Sequence, residues 1–350
     1  MKKKVSLKDI AKKAGVSTAT VSYVLSKREN SGISIEVSEK IEKIAKELNY
    51  RPNQIAKSLQ SGKTYTIGLI VADISNPFFA NIARITEDEA KNHDYTVIFG
   101  SSDENPSKSG GLIQLLMNRQ VDGFIISPAE GSEQQIQILK KQNIPFVLID
   151  RFFPKIKTNY VAIDNHKAAY EATYQLIEMG NKEIGMIAYS GELYHMKERI
   201  RGYKSALKNY GVKDRQRWVK EVNFSKIEEE VHAAVDELLL GAEPVRAILF
   251  ATNTLAIHGL KYIKELGIKV PDDVSVIVFD ESEAFDFFYC PLTYIKQPLA
   301  ELGKKAVKIL IDQISDPEQP LKQLNLDAKL IVRESCKVSS EQAPKQKQRT

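Results

Sequence analysis

An all-α N-terminal module followed by a two-lobed α/β body of parallel sheets flanked by helices is the fold class this 350-residue chain predicts. Three observations predict it. Apolar residues at helical spacing fill the stretch from 6 to about 62 and then stop. From Thr66 onward, short continuous apolar runs alternate with amphipathic stretches, the pattern of buried parallel strands joined by helices. That alternation comes as two successive series, which implies two lobes. At 39.4 kDa the chain is also too long for one ordinary core.

Each element follows from local chemistry. Ser6 with Asp9 three residues on offers a capping box, and Leu7, Ile10, Ala11 and Ala14 form an apolar stripe behind it. Gly15 can take the left-handed conformation that ends this helix. Ser17 caps a second helix with Val21, Val24 and Leu25 facing inward. Ser34 caps a third, whose apolar positions are Val37, Ile41, Ile44, Ala45 and Leu48. In the body, the runs TIGLIVA, YTVIFGS, DGFIISP and IPFVLID alternate with NPFFANIARITEDEAKN and SGGLIQLLMNRQ. The second series is EIGMIAYS, RAILFAT and VSVIVFD, with helices near 196–209, 227–240 and 254–266. The tail 337–350, KVSSEQAPKQKQRT, has almost no apolar content and is expected to be disordered.

Charge is divided unevenly along the chain. Residues 1–62 hold 13 Lys/Arg against 6 Asp/Glu, while the other 288 hold 37 against 39. A basic module on a nearly neutral body points to a polyanion partner for the front end alone. No uncharged apolar run is long enough to span a membrane, and no apolar run follows the charged amino terminus, so neither a span nor a secretory signal is expected. Two cysteines, Cys290 and Cys336, cannot build a disulfide framework, which suits a reducing cytoplasm. Enzyme readings fail on spacing. The GK[ST] end of a phosphate loop at Gly62–Lys63–Thr64 has Lys57 where its leading glycine is needed. There is no GxSxG and no HExxH, and the five histidines lack metal-ligand spacing. No catalytic residue, cofactor or metal is expected.

The first two helices and their turn have the helix-turn-helix arrangement. Small Ala11 permits close approach, and the second helix projects Thr18, Ala19, Ser22 and Tyr23 from its N-terminal half, the end that enters the DNA major groove. VSLKDIAKKAGVSTATVSYVL together with RPNQIAKSLQSGKTYTIGLIV resembles the LacI family of bacterial transcriptional regulators. DISNPFF, VDGFIISP, IPFVLIDR, VAIDN, ERIRGY, VFDES and PLTYIKQP resemble further family blocks in the expected order, so the resemblance covers about residues 5–336. It implies a DNA-binding domain over 1–62, a hinge helix at about 53–61, and a periplasmic-binding-protein-like sensor over 63–336. Within the sensor it implies an N-terminal lobe of about 63–162 plus 293–325 and a C-terminal lobe of about 163–292 plus 326–336.

Asn53 can cap the hinge, but some eight residues are too few to be helical alone, since roughly 12–15 is already marginal. The resemblance implies that two hinges pair in a homodimer and enter the minor groove of a pseudo-palindromic double-stranded operator. Gln54 belongs to this segment, Ala56 lets the pair lie close, and Leu59 is the apolar wedge that kinks the duplex. Tyr23 stands where many members have arginine, so their operator sequences do not transfer.

Open α/β sheets bind ligands outside the carboxyl ends of their strands. That rule selects Phe78 and Phe79, Asp150 and Arg151, Asn253 and Asp280. The resemblance maps effector contacts onto Phe79, Asp150, Asp164, Arg199, Phe224, Asn253 and Asp280. Carboxylate, amide and guanidinium groups around aromatic faces suit a polyhydroxylated, sugar-like effector. Asp164 can instead cap the helix beginning at Asn165, Phe78 and Phe79 can be plain core, and Arg199 with Asp280 can be a structural ion pair. Val278 occupies a position that is commonly glycine in the family. The expectation is a cytoplasmic, dimeric repressor controlled by such an effector. The competing expectations are a soluble sugar-binding or sugar-modifying protein without specific DNA binding, or a regulator answering to a nucleobase or a phosphoprotein.

Overall fold

The computed structural model describes residues 5–25, 32–50, 62–212 and 215–337. The chain divides into two compact units at Thr64/Tyr65.

In the first unit, α1 (Leu7–Ala14), α2 (Thr18–Leu25) and α3 (Ile35–Glu47) enclose a small core of Ile10, Ala11, Ala14, Val21, Val24, Ile41, Ile44 and Ala45. Asp9 accepts from the Ser6 N–H at 2.8 Å and from the Ser6 hydroxyl at 2.7 Å, which closes the start of α1. Gly15, at φ 72°, donates to the Ala11 carbonyl at 2.9 Å and ends it. Ser17 Oγ accepts from the Thr20 N–H at 3.0 Å, so α2 starts within three residues of that turn. The apolar periodicity thus became three helices because each had a local start signal and a shared interior to face.

The second unit holds two six-stranded sheets. The first contains β1 (Thr66–Val71), β2 (Thr96–Ser101), β3 (Gly123–Ile126), β4 (Phe146–Ile149), β5 (Tyr160–Ile163) and β11 (Gln323–Leu326), in the order β11-β5-β4-β3-β1-β2 and all parallel. The second contains β6 (Ile184–Tyr189), β7 (Val219–Val222), β8 (Ala247–Phe250), β9 (Ser275–Phe279), β10 (Thr293–Lys296) and β12 (Lys329–Ile331). Its order is β12-β10-β9-β8-β6-β7, with β12 alone antiparallel. Central strands are buried on both faces, as continuous apolar runs require.

Helices α4 (Pro77–Asn92), α5 (Pro106–Asn118), α6 (Glu133–Lys141) and α11 (Leu299–Ser315) belong to the first lobe. Helices α7 (Asn165–Glu178), α8 (Tyr194–Asn209), α9 (Ile227–Leu239) and α10 (Asn253–Glu265) belong to the second. One expected boundary is corrected. The chain was expected to re-enter the first lobe at 293, but Thr293–Lys296 pairs with β9 and completes the second sheet. The return comes at Gln297–Pro298, where proline opens α11 and that helix packs on β3, β4 and α4. The chain therefore crosses between lobes after Ile163, after Lys296 and after Leu326.

Both sheets share one feature that positions a site. After β1 the chain goes to one side for β2 and then to the other for β3, and β6, β7 and β8 repeat this. Order reversal opens a crevice at the carboxyl ends of those strands.

Candidate functional site

On the first unit, the face expected to read bases lies on α2. Thr18, Ala19 and Tyr23 are exposed and Ser22 is half-buried, while Val21 and Val24 point into the core. Tyr23 keeps 41% of its surface exposed, large for a tyrosine on so small a domain. Asn53, Gln54, Ala56 and Leu59, with the rest of the expected hinge helix, lie outside the described residues, as does the tail from 338.

On the second unit, the crevice gathers residues from strand ends of both lobes. Asp150 follows β4 and Asp280 follows β9, and both adopt left-handed backbone, at φ 67° and 73°. Non-glycine residues held there are sparse, and aspartate tolerates the region better than most. The two strand ends thus present two buried carboxylates to one cleft. Burial pushes Asp150 up to about 6, opposed by the nearby Arg151 and Arg199 guanidinium groups. Burial raises Asp280 as well, opposed by Arg199 and by a hydrogen bond from Gln297 Nε2 at 2.6 Å.

The cations are fixed before any ligand arrives. Arg199 donates from Nε to Asn165 Oδ1 at 2.8 Å and from Nη1 to the Ala251 carbonyl at 2.6 Å, and its guanidinium lies 4.0 Å from the Phe279 ring centroid. Arg151 holds Glu104 through two hydrogen bonds of 2.7 Å and lies 5.5 Å above Phe79. His195 is buried in the same cleft. Burial and the two arginines drive its pKa well below the ordinary value, so the ring is neutral at physiological pH.

Among the expected contacts, Phe78, Phe79, Asp150, Arg199, Phe224 and Asp280 line this cleft together. Phe78 and Phe79 line the cleft and also belong to the core, packed edge to face at 5.0 Å. Asn253 sits at the lip and bonds across to Asn76 of the other lobe at 3.0 Å. Asp164 is corrected. Its carboxylate accepts from the Lys167 N–H at 2.9 Å, capping α7, and it lines a different pocket. The expected ion pair is replaced by separate partners: Arg199 bonds to Asn165 and Ala251, and Asp280 to Gln297.

Sequence reasoning missed Gln297, His195, Glu104 and Tyr189, all of which line the cleft. Gln297 follows β10, so the strand-end rule would have found it had TYIK been read as a strand. Nothing in the sequence marked His195. Buried atoms in the cleft without a hydrogen-bond partner include His195 Nδ1 and Gln297 Oε1. Unpaired buried polar atoms are costly, and their convergence at one place fits a polar ligand. The enclosed space is about 40 Å³, room for water but not for a sugar ring, so entry requires movement.

Among the described residues no helix is long and apolar enough to cross a membrane, and no cluster of His, Cys, Asp and Glu could hold a metal ion. Residues 6–53 match the model for bacterial regulatory proteins of the lacI family, and 173–336 match a periplasmic binding protein-like domain. The chain is 33% identical to the HTH-type transcriptional repressor CytR of Escherichia coli K12, over 95% of this chain and 96% of that one. It is 32% identical to the ribose operon repressor of Haemophilus influenzae, over 94% and 98%. Among solved structures it is similar to a LacI family transcriptional regulator from Enterococcus faecium with bound ribose. That match has a TM-score of 0.69 and 29% identity, and covers 78% of this chain and 99% of that one.

Proposed function

Because this chain belongs to the LacI family of bacterial transcriptional regulators, whose relatives here are DNA-binding repressors, we propose that it represses transcription under control of a neutral sugar held between the sensor lobes. The observation that carries the sensing half is the convergence of two buried carboxylates, two fixed guanidinium groups and unpartnered buried polar atoms on one cleft with aromatic walls. Hydroxyls donate to Asp150 and Asp280 and accept from the arginines, while an apolar sugar face lies against Phe79 or Phe224. The ribose operon repressor and the ribose-bound regulator among its relatives support a pentose.

The effector acts by its preference for one lobe arrangement over the other, since a ligand with equal affinity for both shifts nothing. Two copies would bind a pseudo-palindromic operator, with Thr18, Ala19, Ser22 and Tyr23 reading the major groove and Leu59 wedging the minor groove. The test pairs a mobility shift on the chain's own upstream DNA with a thermal-shift screen of pentoses, hexoses, their phosphates and purines. A salt-sensitive shift that one neutral sugar abolishes supports the reading. Sequence-indifferent DNA binding, or stabilisation by purines alone, refutes it.

A further inference from the structure

A second pocket lies beside the sensor cleft. It encloses about 360 Å³, within the range of small-molecule sites and far more than the cleft itself. Its walls come from both lobes: Phe152, Tyr160 and Asn325 from the first, Tyr194, Glu198 and Arg201 from the second, with Asp164 at the crossover. The two sites share their partitions. On α8, His195 and Arg199 face the cleft while Tyr194, Glu198 and Arg201, at spacings of four and three, face the pocket. In the segment after β4, Asp150 and Arg151 face the cleft while Phe152 faces the pocket. Asn165 lines the pocket and accepts from Arg199 Nε at 2.8 Å.

The lining has a definite chemistry. Phe152 stacks flat on Tyr160, with centroids 3.9 Å apart and planes within 2°, and meets Tyr194 edge to face at 5.1 Å. Around this aromatic group stand the Asp164 carboxylate and the Asn325 and Gln323 amides. Arg201 is neutralised by Glu198, to which its Nε donates at 2.9 Å. The lining carries two carboxylates, Asp164 and Glu198, against one guanidinium, a poor environment for a phosphate and a suitable one for hydroxyl donors. The pocket is also distant from the opposite sheet edge, β2, because it borders β5 and β11 at the other end of the strand order.

We propose that this pocket is a second ligand site, separate from the cleft, that takes a small uncharged polyhydroxylated molecule of the monosaccharide class. Its apolar face lies on the Phe152, Tyr160 and Tyr194 group, and its hydroxyls meet Asp164, Asn325 and Gln323. Since the walls belong to both lobes, occupancy favours the arrangement in which they meet, and linkage makes the two sites change each other's affinity by the same factor.

The test uses the full chain with the cleft weakened by Asp280→Ala, and only binding that the pocket variants Asn325→Leu and Tyr194→Ala remove is assigned to the pocket. D-ribose, D-xylose, D-glucose and D-galactose are titrated by calorimetry to 20 mM, alongside ribose 5-phosphate and glucose 6-phosphate. The expected result is one bound molecule per chain for at least one neutral sugar, with the phosphates at least tenfold weaker. Asn325→Leu, at an exposed position, should abolish that binding without altering thermal unfolding, and Tyr194→Ala should abolish it in a chain that still unfolds cooperatively. Should Asp280→Ala fail to fold, Arg199→Lys takes its place. Absence of binding by all four neutral sugars overturns the proposal. So does binding that survives Asn325→Leu and Tyr194→Ala, or binding confined to the phosphates.

Discussion

Asn76 and Asn253 exchange side-chain hydrogen bonds across the sensor cleft: Asn253 Nδ2 donates to Asn76 Oδ1 at 3.0 Å, and Asn76 Nδ2 donates to Asn253 Oδ1 at 3.3 Å. One caps α4 and the other begins α10, so two helix starts from different lobes are tied together. At a second point, Glu130 of the first lobe accepts from the Glu192 N–H of the second at 2.7 Å. At these points the lobes meet through polar contacts that water can replace, as suits an interface that must open.

The amide pair should measure as a coupling. Asn76→Ala also loses the cap on the Phe78 N–H, so neither single variant isolates the bridge. A double-mutant cycle with Asn253→Ala should give about 0.5–1.5 kcal/mol in chemical denaturation, together with a larger radius of gyration in solution scattering. Strict additivity with an unchanged radius would show that the pair does not hold the lobes.

Asp150 makes a prediction about pH. Its folded pKa of about 6 lies above the ordinary 3.8, so the folded chain binds this proton more tightly than the unfolded chain. Its contribution is fully present below about pH 4 and is lost as pH rises through 6. Asp150→Asn, neutral throughout, should therefore be more stable than the parent at pH 7, by an amount on the order of 1–3 kcal/mol. The gap should close as pH falls toward 4. His195, whose folded pKa is depressed, works in the opposite direction and loses stability as pH falls below its ordinary 6.5, but it is common to both proteins and cancels in the difference. A gap that is constant between pH 4.5 and 7.5 would contradict the assignment.

What could be read in advance was what local chemistry decides. Ser6, Gly15, Ser17 and Ser34 each marked a helix end by an interaction within a few residues, and the doubly buried strands announced themselves as apolar runs. Val219–Val222, Gln323–Leu326 and Lys329–Ile331 did not, because each is a sheet edge with a half-exposed, partly polar sequence. Thr293–Lys296, internal but only four residues long, was missed as well, which shifted the lobe boundary and hid Gln297. Asp164 shows the other limit. Capping and ligand contact were both locally sensible, and the carboxylate caps α7 while lining a pocket other than the cleft. His195 had no local signal, since its burial depends on the fold of the cleft and Arg151, one of the two arginines that depress its pKa, comes from a distant strand end.

Gly202 carries a packing prediction. A Cβ added there would collide with the His166 carbonyl oxygen, so α7 and α8 approach at backbone contact. Gly202→Ala should destabilise the sensor by about 1–3 kcal/mol or more, read by calorimetric unfolding. Wild-type stability would mean that the helices separate without cost.

DNA binding should be strongly salt-dependent. A module with seven excess positive charges, present twice in a dimer, is expected to neutralise about six to ten phosphates. The logarithm of affinity should then fall against the logarithm of salt with a slope of roughly −5 to −9. Tyr23→Ala should change the operator selected from a random library by about 1–3 kcal/mol at one base pair per half-site while leaving that slope alone. An unaltered selected sequence would remove Tyr23 from base reading.

Arg199 and Asp280 should separate sensing from DNA binding. Both are buried in the cleft, neither belongs to the N-terminal unit, and their hydrogen bonds go to other partners. A charge-assisted hydrogen bond to a desolvated ligand hydroxyl is worth about 1.5–3 kcal/mol. Arg199→Ala or Asp280→Ala should therefore weaken effector binding about 10- to 150-fold in calorimetry, with effector-free operator affinity within about twofold of wild type. The two should differ in stability. Losing Arg199 strands the Asn165 and Ala251 acceptors, whereas losing Asp280 removes a carboxylate that burial already disfavours, so Arg199→Ala should be the less stable of the two. Normal effector binding by either folded variant would refute the cleft assignment. Lost operator affinity without effector would instead mean that these residues hold the lobe arrangement competent for DNA.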